Sequence, residues 1–223
     1  MVAKNEKQKY HDDMYKVQIL KPPFFTPTGK LVDRREAWDK GYWIGAINLW
    51  ILQDDPIPAI VYQQRSLTIG WAPGKLDASC SEQFEELDTA KDSLIDVEEE
   101  IGRKYSLEDL NYLGIKLYAG YGQDGSLRHT VNHVYFIVDN APLEEYKLQE
   151  KEVYAMCVCP VEELIKVHSK KGYKFAVDSV LATGEKIKIE VDKDSFPENY
   201  DDYHFKMALL AKRFFEGDEF VLF

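Results

Sequence analysis

Apolar and polar residues along the chain follow two spacings, and these divide it into elements. Aromatic and β-branched runs predict strands over 15–20 (YKVQIL), 42–53 (YWIGAINLWILQ), 59–66 (AIVYQQRS), 111–119 (NYLGIKLYA), 131–138 (VNHVYFIV) and 152–159 (EVYAMCVC). The prolines of DDPIP (54–58) turn the second of these into the third, giving a hairpin. KFAVDSVLA and EKIKIEV flank Thr183-Gly184 and read as a second hairpin. KPPFFTPTGK (21–30), with three prolines, reads as an extended connection, and WAPGKLDAS (71–79) as a loop leading into a short strand. A helical period begins at Leu87. Leu87, Ala90, Leu94, Val97 and Ile101 are spaced 3, 4, 3 and 4 apart, which is one face of a helix. Gly102 follows the last apolar position, where a left-handed cap belongs. A helical turn is expected at 33–40, a helix opening with Pro160 over 160–168, and an amphipathic helix over 203–215. The order implies an α+β fold, an α/β/α sandwich with a mixed β-sheet. The division expected is an extension at 1–34, a main domain at 35–216 and a tail at 217–223.

Composition changes this picture little, and charge changes it more. The 223 residues are 45% hydrophobic and 13% aromatic, which fits a folded chain rather than a disordered one. No apolar run approaches the roughly 18 residues that span a bilayer. MVAKNEKQKYHDD has no apolar core of a secretory leader, so a cytoplasmic setting is expected. Cys80, Cys157 and Cys159 are too few and too unevenly spaced for a disulfide framework or a zinc site. Cys157 and Cys159 share a strand face and read as small packing residues. The formal net charge is −11, which argues against gripping a nucleic-acid backbone.

That charge is concentrated. Between Glu82 and Glu100 stand nine acids and one base, so this segment carries −8 of the −11. Asp96, Glu99 and Glu100 lie at i, i+3 and i+4, on one helix face. Like charges at that spacing destabilise a helix, and the macrodipole disfavours anions near its C-terminal end. A counter-charge is expected. Clustered hard oxygen donors suit Mg²⁺ or Mn²⁺, while a solvated acidic face is the alternative.

The stretch PGKLDASCSEQFEELDTAKDSLIDVEEEIG (73–102) resembles the Nudix hydrolase family, in particular its isopentenyl-diphosphate-isomerase-like branch. The end of the family signature, G-x5-E-x7-R-E-U-x-E-E-x-G-U with U aliphatic, falls on Asp96-Val97-Glu98-Glu99-Glu100-Ile101-Gly102. INLWILQ and IVYQQRS resemble the strand pair before the signature, with Arg65-Ser66 matching the branch's Q-x-R-S. LQEKEVYAMCVCPVEEL (148–164) resembles the strand and Pro-x-Glu-Glu helix after it. The box is degenerate. Ser81 stands at its first glycine, Leu87 at its first glutamate, Ile95 at its arginine, Asp96 at the next glutamate and Arg103 at the last aliphatic position. A one-residue slip would let Glu86 or Asp88 serve in place of Leu87.

The resemblance implies a Nudix-type fold with a carboxylate-bearing helix, and a divalent-metal-dependent hydrolase that cleaves a diphosphate linkage in a nucleoside diphosphate derivative or similar small molecule. It implies Asp96, Glu99 and Glu100 as ligands of Mg²⁺ or Mn²⁺. Glu99, Glu100 and Glu152, or Glu150 in place of the last, would be the catalytic carboxylates. Arg65 is a candidate for substrate phosphate, or else an ordinary ion pair beside the acidic helix. Trp71 is the best candidate for stacking, whereas Trp43 and Trp50 belong to the first long strand and read as core. Two alternatives stand beside this reading. A catalytically impaired Nudix-like domain would bind a ligand or a protein. A prenyl-diphosphate isomerase fits poorly, because its cysteine position falls nearest Ser81 and its first-strand histidine at Ile44. Cys80 reads as a packing residue, and His11, His129, His133, His168 and His204 are scattered. The partner expected is a small diphosphate-containing substrate, with no membrane, and Phe24, Phe25 and the terminal FEGDEFVLF would serve a homodimer.

Overall fold

The computed structural model describes residues 15–122, 125–198, 201–218 and 221–223. The apolar strands of the sequence pair into one eleven-stranded mixed sheet. β3 (Trp43–Gln53) is central and almost wholly buried. It pairs antiparallel with β4 (Ala59–Arg65) as the expected hairpin, and in parallel with β8 (Leu127–Val138) from Trp43↔His129 to Leu52↔Val138. β7 (Asn111–Tyr121) lies antiparallel on β8. β9 (Val153–Pro160) borders β4, and the hairpin of β10 (Phe175–Leu181) and β11 (Lys186–Val191) extends that edge. Two short strands, β5 (Leu76–Asp77) on β4 and β6 (Cys80–Gln83) on β3, carry the loop that follows Trp71.

The N-terminal hairpin is β1 (Lys16–Lys21) with β2 (Thr26–Asp33), so the proline-rich 21–30 region holds much of a strand. β1 joins the sheet at Leu20↔Trp43, and Val17 and Val32 pack with Ala37 and Ile44 in a small cluster. The expected boundary at 34/35 falls after the first residue of α1 (Arg34–Lys40), and the hairpin before it is attached to the sheet. At the other end, Val221 is buried and the amide of Phe223 donates to the Leu113 carbonyl at 2.7 Å, so the tail lies on β7.

Helices cover both faces, as an α/β/α sandwich requires. On one, α3 (Val161–Ser169) and α4 (Tyr203–Phe215) pack on Trp50, Tyr62, Phe136, Cys157 and Cys159. Trp50 is fully buried, and its indole N–H donates to the Tyr203 hydroxyl at 3.0 Å. On the other, Leu94, Val97 and Ile101 of α2 (Leu94–Ile101) pack on Ile47, Leu49, Val61 and Cys80. Among the described residues no helix is long and apolar enough to cross a membrane.

Candidate functional site

Strand pairing delivers the first half of the site. β6 lies against β3 with Leu49↔Cys80, Asn48↔Ser81, Ile47↔Glu82 and Ala46↔Gln83. Alternation puts Cys80 and Glu82 on the same face. Above it, α2 buries Val97 and Ile101, and Glu100, three residues after Val97, is carried inward with them to 5% exposure. The Cys80 thiol donates a hydrogen bond to the Glu100 carboxylate. One ligand atom each of Cys80, Glu82 and Glu100 lies within 4.8 Å of the others.

Backbone bonds from the end of α2 deliver the second half. Gly102 adopts φ 69° and closes α2 with its amide on the Glu98 carbonyl at 2.9 Å. The next free carbonyls of the helix are taken up by Lys147 N–H on Ile101 and Gln149 N–H on Glu100. The Glu152 amide then donates to Gln149, and the Ser66 amide to Glu152, which ties the start of β9 to the end of β4. This holds Glu152 and Arg65 beside the cluster. The Arg65 Nε donates to the Trp71 carbonyl at 2.9 Å, its guanidinium stands 5.0 Å over the Trp71 ring, and Asp77 lies 3.7 Å away.

Glu82, Glu100, Glu152, Arg65, Trp71 and Asp77 face one cleft of about 770 Å³, with Cys80 buried behind it. Its acidic wall is Glu82, Glu85, Asp96, Glu99, Glu100 and Glu152, and cations including Arg34, Arg65, Lys116 and Arg128 line it too. Burial, then repulsion from Glu100 and Glu152, pushes the Glu82 carboxyl well up. Burial also raises Glu100, and holds the half-buried Asp96 at about 6, with Glu85 and Glu99 adding to the shift. The Cys80 thiol is pushed up by burial and by Glu100, so it stays a protonated donor. Carboxylates raised by burial first and by neighbouring charge second fit a divalent cation, whose charge would offset both. The oxygen donors suit Mg²⁺ or Mn²⁺.

Asp96, Glu99, Glu100, Glu152, Arg65 and Trp71 thus line one cleft. The tight cluster, however, is Glu100 with Glu82 and Cys80. Glu82 and Cys80 were not singled out as site residues by the sequence. Their signal is the two-residue spacing in a strand, legible only once β6 is set against β3. Leu87 and Ile95, at the glutamate and arginine positions of the box, are each 64% exposed. The histidines lie outside the Glu82–Glu100 cluster: His129 stacks on Trp43, His133 on Phe84, and His168 and His204 pack on Phe196, with the His204 Nε2 4.0 Å from the Asp77 carboxylate. His11 lies outside the described residues.

No protein-family model matches the chain. An uncharacterized Nudix hydrolase of Clostridium acetobutylicum is 24% identical over 189 residues, covering 80% of this chain and 88% of its own. Among solved structures, DR0079 of Deinococcus radiodurans matches with a TM-score of 0.51 at 11% identity, over 70% of this chain and 90% of its own. The MutT protein of Methanosarcina mazei Go1 matches with a TM-score of 0.43 at 15% identity, over 55% of this chain and 80% of its own. The chain is similar in sequence to a Nudix hydrolase, and its α+β fold is similar to that of DR0079.

Proposed function

We propose that the protein is a divalent-metal-dependent hydrolase that cleaves a diphosphate linkage in a nucleoside diphosphate derivative or similar small molecule. The observation that carries this reading is the meeting of buried carboxylates and guanidinium groups in one cleft. Asp96, Glu99 and Glu100 would hold Mg²⁺ or Mn²⁺, and Glu82, paired with Glu100, supplies the carboxylate missing at Leu87. Held there, the cation would supply charge to neutralise phosphate oxygens and would lower the pKa of an attacking water. Glu152 orients that water and accepts its proton. Arg65 holds phosphate oxygens with its fork of N–H donors, and the Trp71 ring beside it stacks on the leaving part of the substrate. Three buried free cysteines suit a reducing cytoplasm.

The test is release of phosphate-containing product from a panel of nucleoside diphosphate derivatives, with and without Mg²⁺ or Mn²⁺. Glu99→Gln and Glu100→Gln should each lower turnover at least roughly a hundredfold, with the melting profile of a folded protein kept. The exposed apolar side chains of Leu87 and Ile95 favour a second reading, a binding domain without turnover. Calorimetry that finds no metal binding, with no turnover across the panel, selects it.

A further inference from the structure

β7 and β8 have two unlike faces. On one side Lys116 and Tyr118 of β7, with Arg128, Thr130 and Asn132 of β8, line the cleft. The opposite side follows from the register. Ile115 pairs with His133, Leu117 with Val131 and Tyr121 with Leu127, and alternation points these side chains away from Lys116 and Asn132. Tyr112 joins them, its ring centre 5.0 Å from that of Tyr135. From Tyr112 to Tyr121, and on the β8 residues paired with them, no position on this outer face is Asp, Glu, Lys or Arg, in a chain that is 30% charged. Rings cover the β8 half of it. Trp43 stacks on His129 with centres 4.9 Å apart, and Phe84 stacks on His133 at 5.6 Å. The β7 half is open: Tyr112, Ile115 and Tyr121 are 47%, 44% and 72% exposed. Where the tail lies on β7, Val221 and Phe223 pack into the core on the α3 and α4 side, and Leu222 between them is 65% exposed.

Area, shape and charge together specify what covers this face. Taken as fractions of whole side chains of roughly 150–250 Å², the four exposed residues present about 400 Å² of largely apolar surface. A standard interface takes about 800 Å² from each partner, of which roughly 450 Å² is apolar, so the patch is the right size for the apolar share of one. The face belongs to strands of 11 and 12 residues. A surface of that form packs on another sheet about 10 Å away, with the strands within about 30° of each other. The same face of a second copy supplies that match through a two-fold axis. Two chains of net charge −11 repel each other, and they meet at least cost where neither brings a charge.

We propose that the outer face of β7 and β8 is a self-association surface, on which a second copy of the chain packs sheet on sheet about a two-fold axis. It stands independently of the hydrolytic reading, because it uses the side of these strands turned away from the cleft. Sedimentation equilibrium of the full chain should show a monomer–dimer equilibrium with a Kd of roughly micromolar or tighter. Salt should tighten the dimer, since it screens the repulsion between two acidic chains and leaves apolar contact in place. Ile115→Lys places a charge near the middle of the patch and, by the two-fold, does so twice, so it should weaken the dimer at least roughly thirtyfold. Leu209→Lys, at an exposed apolar position of α4 on the other side of the sheet, should leave it unchanged. A second variant decides the matter if Ile115→Lys does not fold. Cys80, Cys157 and Cys159 are buried, so Ile115→Cys adds an accessible thiol to a chain whose own are shielded. A bismaleimide that reaches about 10 Å, the spacing of packed sheets, should join two such chains, and Leu209→Cys should not be joined above background. A chain that stays monomeric at every concentration overturns the proposal, with the face then left to another occupant. A dimer that loosens in salt, that Ile115→Lys leaves intact, or whose thiols at 115 do not cross-link overturns it too, because the copies then meet elsewhere.

Discussion

Glu100 is drawn inward by the apolar face of α2, and its carboxylate meets Glu82 and the Cys80 thiol there. Without a cation this arrangement works against folding, because burial and like charge both raise the Glu82 carboxyl. Glu82→Gln keeps the shape and removes one charge. The variant should be more stable than the parent in EDTA, since it removes a charge that burial and the neighbouring carboxylates disfavour in the folded chain. It should also lose most of its metal-dependent turnover, as a site held in strain for function predicts. Melting in EDTA and a turnover assay with Mg²⁺ check the two halves, and a Glu82→Gln protein that is less stable but fully active contradicts both. Asp96, Glu99 and Glu100 were legible because they share a helical spacing within the acidic segment. Glu82 was not, because its partner lies eighteen residues away on another element and its own spacing is that of a strand.

The helix that bears these groups is shorter than its apolar period. The spacing predicts a helix from Leu87, but α2 starts at Leu94 and Leu87 faces solvent. β6 holds the chain extended through Gln83, and Glu86 takes φ 43°. Thr89 then donates to the Asp92 carboxylate from both its amide and its hydroxyl, at 2.9 and 2.7 Å, forming a turn in place of the first helical turns. The C-terminal end followed the sequence closely, since Gly102 is a left-handed cap in both. Gly102 also has no space for a side chain. A Cβ there would lie 2.6 Å from the Lys147 side chain and 2.9 Å from its backbone nitrogen. Gly102→Ala combines left-handed strain of about 1–2 kcal/mol with overpacking of about 1–3 kcal/mol. It should destabilise the protein by roughly 2–5 kcal/mol, read by denaturant melting, and loosen the 147–152 segment that carries Glu152. Most strands, built from long apolar runs, were legible to within a residue or two, whereas β8 begins at Leu127, four residues before the expected start at 131. The β2 strand was obscured by Pro22, Pro23 and Pro27, which read as a connection until the pairing with β1 supplied its other edge.

At the scale of the whole molecule, the charge surplus is a site property with consequences for stability. A cation that binds only the folded chain stabilises it by about 2.7 kcal/mol at a concentration 100 times its Kd. For a chain of this length that is a rise in Tm of roughly 5–10 °C, which EDTA should reverse. Acid acts through two opposed sets of groups. Asp96, held at about 6 against an ordinary 3.8, binds a proton more readily when folded, so it adds stability as the pH falls through that window. His204 does the reverse. It is fully packed among Trp50, Tyr62, Phe196 and Tyr203, and burial holds it down at about 3 from 6.5. Below 6.5 the unfolded chain takes up a proton that the folded chain refuses, so stability is complete above that pH and is lost as the pH falls toward 3. His168, lowered to about 4 mainly by burial, acts in the same direction. Because the two sets cancel in part, the acid limb of the parent alone does not resolve them. His204→Phe removes one titrating group and keeps a ring in the aromatic cluster. The stability of the parent relative to this variant should fall by about 1.4 kcal/mol per pH unit between about 6 and 4, whatever the carboxylates contribute to both. Urea melts of the two proteins in EDTA at several pH values measure that difference. A constant difference across the window would mean that His204 takes up its proton in the folded core, where the Asp77 carboxylate stands 4.0 Å from its Nε2.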